Sequence, residues 1–381
     1  MDHEGEPTAQ ASRPSPIVAS LTTSGVRNLA AEAVALDPRL TLIWGSNGAG
    51  KSSLLEALCL ALSGRSPRTP RQREAIAHEA ELARSEAVVE AGRRQRRFLW
   101  SATRAGERRH LLDGKPAGRD AAGARPPLIA FFPDRLALVK GGPGPRRAHL
   151  DRLGEALWPA RAGVRDRYRR ALAQRNALLA ALRGSDPPAL DAWDRELALT
   201  GTELIAMRRE ATERLREHVA GTGAELDAGA LSIEYRPRSE AASAEELAAE
   251  LRARRAADIG RGFSGHGPHL DEIELRLDRR SVRRYASQGE QRAALLALLL
   301  AERTLLLEAR DRAPLMLLDD VLSELDPERR ERLTARLIEA EGQALVAATE
   351  PGQLPASAER LEIALDRGRL VRPRLERRDA A

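Results

Sequence analysis

A glycine-rich segment of the chain has the residue types and the spacing of a loop that binds nucleotide phosphates. The pattern G-x-x-x-x-G-K-[ST] is matched by Gly45, Ser46, Asn47, Gly48, Ala49, Gly50, Lys51 and Ser52, followed by Ser53. The glycines let backbone N–H groups turn toward phosphate oxygens, and the N-terminus of the next helix adds its dipole. The pattern predicts that Lys51, as a catalytic residue, reaches the β- and γ-phosphates and that the Ser52 hydroxyl ligates Mg²⁺.

Two carboxylates end an apolar segment further along the chain, Leu315 to Leu318. By itself this segment fits a buried strand with a capped exit equally well. Paired with the phosphate loop, it predicts that Asp319 holds Mg²⁺ through water and that Asp320 is the general base on the attacking water. Two adjacent carboxylates are poorly stabilised unless a cation lies near them. Asp326 follows, directly before a proline, where a helix N-cap is an alternative interpretation.

A third segment, formed by Ser287, Gln288, Gly289 and Glu290, comes just before a strongly apolar helix. One interpretation is again a helix N-cap. The order of the motifs, however, resembles that of the ATP-binding-cassette superfamily, whose signature segment has the usual form L-S-G-G-Q. In that superfamily the signature segment caps the γ-phosphate of ATP held by a second subunit. The resemblance therefore implies that ATP joins two copies of the chain.

Local patterns indicate the elements that must position these groups. Thr41–Trp44 is an apolar strand candidate just before the phosphate loop, and the leucines after the loop fit helical spacing up to Gly64. The turn at Arg104–Glu107 separates two segments that favour a β-hairpin. Segments rich in Ala, Leu, Arg and Glu, among them 194–219, predict amphipathic helices without a sustained heptad pattern.

The predicted fold class is α/β, with a P-loop ATPase head of the ATP-binding-cassette type and an inserted, mostly helical second lobe without a long coiled coil. We predict a disordered N-terminal extension at 1–16 and the first part of the head at 17–150. The helical lobe is predicted at 151–264, and the second part of the head at 265–381. The segment between the phosphate loop and Asp319 is longer than in transporter subunits of this superfamily and shorter than in its chromosome-structure ATPases.

Composition limits the class of protein further. The chain has 381 residues, a formal net charge of +6 and one cysteine, Cys59, which excludes an intramolecular disulfide framework. The near-balance of charge is unlike that of a histone-like binder of nucleic acid. The sequence shows neither an export signal nor an apolar segment long enough to span a bilayer, so we expect a cytoplasmic protein.

The chain resembles the RecF family of bacterial recombination mediators over nearly its whole length from about Ile17. The resemblance is carried by Arg27-Asn28, GSNGAGKSSLLEAL at the phosphate loop, GGPGPRRAHLD at 141–151, Gln174-Arg175-Asn176, Gly267-Pro268-His269, YASQGEQR at 285–292 and LLDDVLSELDPERR. The sequence departs from the family pattern at His149, where phenylalanine is usual, and at Glu290, which often is glutamine.

The resemblance implies a weak, DNA-stimulated ATPase that uses ATP and Mg²⁺. It places Arg27 and Asn28 with the phosphate loop around the nucleotide, and Ser287, Gln288, Gly289, Glu290 and Asp326 at the nucleotide of a partner subunit. It also implies an ATP-dependent homodimer on double-stranded and gapped DNA, and therefore a nucleoid-associated protein. The implied protein partners are RecR and RecO, which act with the family to put RecA onto gaps coated by single-strand-binding protein.

Arginines on loops are candidate contacts to DNA phosphates, since guanidinium groups suit phosphate binding. The candidates are Arg65, Arg68, Arg71 and Arg73 after the first helix, and Arg146 and Arg147 in the second family motif. In so arginine-rich a chain, an ordinary solvated face explains each of them equally well. Two other functions stay open at this point: a transporter-type ATPase subunit, and a non-catalytic DNA scaffold that binds nucleotide without hydrolysing it.

Overall fold

The computed structural model describes residues 15–118, 121–182, 188–226, 228–310 and 312–374. The backbone forms two compact units: unit 1 consists of Met1–Pro133 and Leu306–Ala381, and unit 2 of Asp134–Leu305. Most of the extension predicted at 1–16 lies outside the described residues, as does the end of the predicted segment 265–381.

Strands dominate both ends of the chain, and helices dominate its middle. The strands are β1 (Ile17–Ser24), β2 (Glu32–Ala35), β3 (Leu40–Trp44), β4 (Leu82–Ala91), β5 (Arg94–Thr103), β6 (Arg108–Leu112), β7 (Lys115–Pro116), β8 (Leu128–Phe131), β9 (Leu231–Arg236), β10 (Glu272–Leu277), β11 (Arg280–Ser281), β12 (Leu315–Asp319), β13 (Ala344–Ala348), β14 (Leu361–Asp366) and β15 (Arg369–Arg374). The α-helices are α1 (Lys51–Ser63), α2 (Ala121–Ala124), α3 (Ala137–Lys140), α4 (Pro143–Leu157), α5 (Val164–Ala181), α6 (Ala189–Glu225), α7 (Ala244–Ala253), α8 (Arg255–Arg261), α9 (Val282–Tyr285), α10 (Gln288–Arg310) and α11 (Pro327–Glu339). None of the helices in the described ranges combines the length and the hydropathy that a bilayer span requires.

A mostly parallel sheet in unit 1 positions the nucleotide motifs. Its strand order is β15-β14-β3-β13-β12-β8, and every neighbouring pair except β14 with β15 is parallel. The strands β12 and β13 are buried along their whole length, as is β3 up to its last residue, which suits strands covered on both faces. Because β13 lies between β3 and β12, the segments that follow β3 and β12 leave the sheet at the same edge. Ligands of open α/β sheets bind at such an edge.

An antiparallel sheet completes unit 1, with strand order β2-β1-β4-β5-β6-β7. The predicted hairpin around Arg104–Glu107 is confirmed, because β5 and β6 pair across it. The predicted helix after the phosphate loop is α1, which packs against β4, β5, β12 and β13. It ends at Gly64, whose φ of 67° gives the left-handed C-cap that glycine adopts most readily. The interior-facing side of α1 includes Cys59, which is buried.

Unit 2 is built around α6, a 37-residue helix that contains the predicted segment 194–219. α4, α5 and α7 pack against α6, and β9 also lies on it. β9 pairs with β10 along all six residues, and β11 extends this sheet. The compact unit therefore includes residues 265–305, which the predicted boundaries assign to the head, because β10 pairs with a strand of the helical lobe.

Unfolding is expected to become easier as the pH falls from about 7.5 to about 5.5, through the ordinary histidine pKa. The carbonyl of Ser264 can only accept, so His269 Nε2 donates to it over 3.1 Å, and His269 Nδ1 accepts from the Tyr168 hydroxyl over 2.7 Å. Burial lowers the pKa of His269, and it also lowers the pKa of His149 and of His110. The unfolded chain therefore takes up protons that the folded chain resists, and the free energy of unfolding falls on acidification.

Urea denaturation at several pH values measures this dependence. Each such histidine contributes at most about 1.4 kcal/mol per pH unit. The His269→Gln variant keeps a hydrogen-bonding side chain that does not titrate, so its unfolding free energy should depend less on pH. An identical pH dependence in the variant and the parent chain would show that His269 titrates alike in the folded and unfolded states.

Candidate nucleotide site

The loop between β3 and α1 depends on glycine at the positions where the backbone turns most sharply. Gly45 has a φ of 154°, and a Cβ atom there would lie 2.2 Å from the carbonyl oxygen of Leu365. Gly50 has a φ of 110° and forms the N-cap of α1 without any side-chain capping bond. The backbone at the start of α1 is thus available to an anion, as the sequence pattern predicts.

The side chain of Lys51 is held inside this loop. Its ammonium group donates to the carbonyl oxygens of Gly45, over 2.7 Å, and Ser46, over 3.1 Å. Burial lowers the pKa of Lys51, while the carboxylates of Asp320 and Asp319 oppose this shift. The two carboxylates and the lysine are therefore close enough to interact electrostatically.

A hydrogen bond joins the phosphate loop to the end of β12. The hydroxyl of Ser52 donates to Oδ1 of Asp319 over 2.9 Å, although the residues are 267 positions apart in sequence. Asp319 is buried, and burial raises the pKa of its carboxyl group, while Ser52, Arg68 and Lys51 act in the opposite direction. The two predicted metal ligands are thus brought together.

Asp320 has an unusual backbone conformation, and one of its side-chain oxygens accepts no hydrogen bond from the described residues. Its φ of 54° lies in the left-handed region, and its N–H donates to the carbonyl oxygen of Ala347 over 3.2 Å. Among the described residues, no donor reaches its buried Oδ1 atom. A buried oxygen without a partner is costly, so this atom requires water or a cation. Ser52 and Asp319 supply hard oxygen ligands, which fits Mg²⁺, and the Oδ1 atom of Asp320 is left for a water molecule.

Of the two residues predicted to lie with the loop around the nucleotide, Asn28 contacts the loop, whereas the side chain of Arg27 pairs with Glu56 on α1. The Asn28 amide donates to the carbonyl oxygen of Gly48 over 2.8 Å, and its Oδ1 accepts from the hydroxyl of Ser53 over 2.9 Å. Asn28 therefore braces the phosphate loop from outside.

Sequence reasoning missed Glu56, which organises the side chains next to the loop. Its fully buried carboxylate accepts from Arg27 over 2.9 and 3.0 Å and from Arg68 over 3.2 Å. It also accepts from the hydroxyl of Ser66 over 2.6 Å. The sequence held one signal for this role, since Glu56 is the single carboxylate in the apolar helical segment SSLLEALCLALS. A charged side chain that is buried in such a helix needs partners.

The signature segment lies in unit 2 and forms a capping box. Ser287 Oγ accepts from the N–H of Glu290 over 3.3 Å, and Glu290 Oε2 accepts from the N–H of Ser287 over 2.6 Å. Gln288 and Gly289 are exposed between them. In unit 1, Asp326 caps α11 by accepting from the N–H of Arg329 over 2.9 Å. Both N-cap interpretations are confirmed, and the roles at a partner's nucleotide stay predictions.

The six arginines predicted to contact DNA differ in exposure. Arg65, Arg68, Arg71 and Arg73 are exposed in unit 1, although Arg68 is paired with Glu56. In unit 2, Arg147 is half-buried and donates to the carbonyl oxygen of Asp271 over 2.7 Å.

The prediction for Arg146 is wrong, because its side chain is buried in unit 2 rather than exposed. It donates to Oε1 of Glu272 over 2.7 and 3.1 Å and to the carbonyl oxygen of Gly141 over 2.9 Å. Glu272 lies 126 positions away, so the pairing was invisible in the local sequence. The guanidinium group of Arg146 is therefore engaged in hydrogen bonds within unit 2.

The fold and the phosphate loop define an ATPase head of the ATP-binding-cassette class, the predicted fold. A family model described as an AAA domain matches residues 20–112. Among solved structures, the chain is similar to the recombination mediator protein RecF-ATP of the RecFOR pathway, with a TM-score of 0.85, 24% identity and coverage of 95% of this chain and 99% of that one. It is also similar to an Smc head bound to the C-winged helix domain of ScpA, with a TM-score of 0.57, 16% identity and coverage of 94% and 98%.

Curated relatives give a more specific assignment. The chain is 40% identical over 342 residues to the DNA replication and repair protein RecF of Anaeromyxobacter sp. (strain Fw109-5), covering 87% of this chain and 92% of the relative. It is 39% identical over 337 residues to the RecF of Deinococcus radiodurans, with coverage of 87% and 90%. The chain belongs to the RecF family of DNA replication and repair proteins, which confirms the family resemblance inferred from its motifs.

Proposed function

We propose that the chain is a Mg²⁺-dependent ATPase whose nucleotide lies where the segments after β3 and β12 meet. The observation that carries this proposal is the Ser52–Asp319 hydrogen bond next to the unpartnered Oδ1 of Asp320. The similar solved structure is described as RecF-ATP, which supports ATP as the nucleotide.

Each residue of the site has a distinct part in this mechanism. The backbone amides at the start of α1 and the ammonium group of Lys51 hold the β- and γ-phosphates. Ser52 and Asp319 hold Mg²⁺, which when bound neutralises charge on the phosphates. Asp320 orients the attacking water and accepts its proton. Asn28 keeps the loop in place through Gly48.

ATP also assembles two copies of the chain in this proposal. Ser287, Gln288, Gly289 and Glu290 are exposed, as a segment that reaches a second subunit's nucleotide must be. Asp326 is exposed as well. A site completed only by dimerisation is incomplete for much of the time, so hydrolysis is slow and acts as the release switch. The dimer closes on double-stranded or gapped DNA, through exposed arginines such as Arg71.

The biological role that follows is that of a recombination mediator. The curated relatives are named DNA replication and repair proteins, and the similar solved structure belongs to the RecFOR pathway. The pathway name supports RecO and RecR as partners of this chain, and the family resemblance implies RecA loading at gaps coated by single-strand-binding protein as the outcome.

The Asp320→Asn variant is expected to stay dimeric in ATP, whereas the parent chain returns to monomer as ATP is consumed. Asparagine tolerates the left-handed backbone at this position but cannot accept the proton of water. Light scattering after gel filtration measures the two states. Asp113→Asn is a matched control, since Asp113 also has a positive φ, of 50°, and lies in the β6–β7 turn.

The alternative functions predict different results when the same purified chain is measured. A chain that stays monomeric with ATP and gapped DNA contradicts the dimer. ATP binding without turnover favours a non-catalytic scaffold. Hydrolysis measured with and without gapped DNA, at two salt concentrations, separates a DNA-stimulated ATPase from a transporter-type subunit, which DNA does not stimulate.

A further inference from the structure

An arginine-rich surface in unit 2 precedes the signature segment. We call it the hairpin patch and define it as Arg279, Arg280, Arg283, Arg284 and Tyr285. All five side chains are exposed, and Tyr285 is 69% exposed, a large fraction for an aromatic residue. An open groove of about 550 Å³ runs through the patch, so a ligand has room to lie against it.

The backbone holds these side chains outward in a defined arrangement. Asp278 and Arg279, with φ of 47° and 67°, form the two-residue turn between β10 and β11. This pair of positive φ values is typical of the type I′ turn of tight hairpins. Val282 is buried and anchors α9, so the arginines on either side of it remain at the surface.

The positive charge of the patch is not neutralised from within the protein. The nearby carboxylates have other partners: Glu234 pairs with Arg236 over 2.9 Å, Glu274 pairs with Arg276 over 3.0 Å, and Asp278 accepts from the N–H of Ala230 over 3.1 Å. In the part of unit 2 that the structure describes, no ion pair involves any of the four arginines of the patch.

Two exposed arginines of α6, by contrast, are ion-paired. On α6, Arg209 pairs with Glu240, and Arg216 pairs with Glu213 over 2.7 Å. Four neighbouring like charges without counter-ions repel one another and attract a polyanion. The hairpin patch thus differs from these paired arginines of α6, because it brings together four arginines that form no ion pair within the described part of the chain.

We propose that the hairpin patch binds the phosphate backbone of DNA. This inference rests on the proposed function as a DNA-binding ATPase, and it adds a contact surface in unit 2 to the loop arginines of unit 1. Guanidinium forks match phosphate oxygens in pairs, and the exposed ring of Tyr285 can pack against a sugar. Duplex DNA presents one charge per roughly 1.7 Å of its axis, so several arginines are engaged together.

Two features favour nucleic acid over an acidic protein as the occupant. The five side chains include no aliphatic residue, whereas a protein interface has an apolar core inside a polar rim. In addition, the patch ends at Tyr285, two residues before Ser287, so DNA bound here lies directly beside the signature segment. This proximity gives DNA a route to influence the ATP-dependent dimer.

The test compares two double variants of the full chain. Arg280→Gln with Arg284→Gln removes two of the four positive charges of the patch, and Arg209→Gln with Arg216→Gln removes two exposed arginines that are already ion-paired. Affinity for a labelled duplex and for a single strand of equal length is measured with ATP over a range of salt concentrations. The patch variant should bind duplex at least about tenfold more weakly at about 100 mM salt, and its slope of log affinity against log salt should fall by roughly two. The control variant should differ little from the parent chain.

Each other outcome overturns a distinct statement. If the parent chain binds neither DNA, the proposed function fails and the inference fails with it. If the parent binds duplex and the patch variant binds it with the same affinity and salt slope, the inference alone is wrong. If the patch variant keeps DNA affinity but loses the ATP-dependent dimer, the patch is a protein interface. A loss confined to the single strand assigns the patch to unpaired DNA rather than duplex. Circular dichroism melting confirms that each variant is folded.

Discussion

Replacing Lys51 with alanine is expected to lower ATP hydrolysis at least about a hundredfold, since it removes a pre-positioned cation from developing phosphate charge. The ammonium group already lies inside the loop, where it donates to the carbonyl oxygens of Gly45 and Ser46. It also faces Asp319 and Asp320, whose charges oppose the effect of burial on its pKa. Nothing else in this loop can supply a positive charge, because its other residues are Gly, Ser, Asn and Ala.

Phosphate release under steady-state conditions measures this loss, and a fluorescent ATP analogue measures binding. Lys115→Ala is the matched control, because Lys115 is an exposed lysine of unit 1 on β7. Lys51→Arg should not restore activity, since a planar fork does not replace a compact ammonium group. Parent-like hydrolysis by Lys51→Ala would contradict the assigned role.

The rarity of lysine gives a second measurement of the same site. Lysine occurs only at positions 51, 115 and 140. Acetylation of the native protein followed by mass spectrometry therefore reports three separate sites. ATP with Mg²⁺ should protect Lys51 and leave Lys115 and Lys140 as reactive as before. Equal labelling of Lys51 with and without nucleotide would contradict ATP binding at the loop.

The parts of the site that could be predicted are those encoded within a short segment. The phosphate loop, its strand and its helix follow from a contiguous pattern of glycines, apolar residues and one lysine. The bond between Ser52 and Asp319 was predictable for a second reason. Two parallel strands with one strand between them place their carboxyl ends at the same edge, so motifs after each strand meet.

What could not be predicted depends on partners that are distant in sequence. Arg146 and Arg71 look alike in the chain, but Arg146 is buried and paired with Glu272, whereas Arg71 is exposed. Their environments differ because β10, which pairs with β9, carries Glu272 to the side chain of Arg146. The same pairing extends unit 2 to Leu305, whereas the predicted helical lobe ends at residue 264. A single sequence carries no signal for such pairings.

The caps show that one residue can meet a structural and a functional requirement together. Ser287 and Glu290 satisfy the free N–H groups at the start of α10, and Asp326 does so for α11. These bonds fix the backbone of exposed segments. A segment that must meet a second subunit's nucleotide benefits from being fixed beforehand, because less conformational entropy is lost on assembly.

Replacing Arg175 with methionine is expected to destabilise the fold by about 3–5 kcal/mol, the usual cost of removing one partner from a buried ion pair. Arg175 is fully buried in unit 2. It donates to Asp194 over 2.7 Å, to Asp258 over 2.8 Å and to the hydroxyl of Ser264 over 2.7 Å. This single side chain therefore joins α5, α6, α8 and the turn after α8, and methionine leaves two buried carboxylates with less compensation.

Urea denaturation of the full chain measures the cost, and Arg169→Met is the matched control. Arg169 lies on the same helix, is 67% exposed and is 3.9 Å from Asp166, so its loss should cost no more than about 1 kcal/mol. The double variant Arg175→Met with Asp258→Asn should recover part of the stability, because it also removes one of the uncompensated charges. If Arg175→Met costs no more than the control, or if the second substitution adds its full cost, the charges of this cluster do not stabilise one another, and the family motif Gln174-Arg175-Asn176 needs an explanation other than packing of the helical lobe.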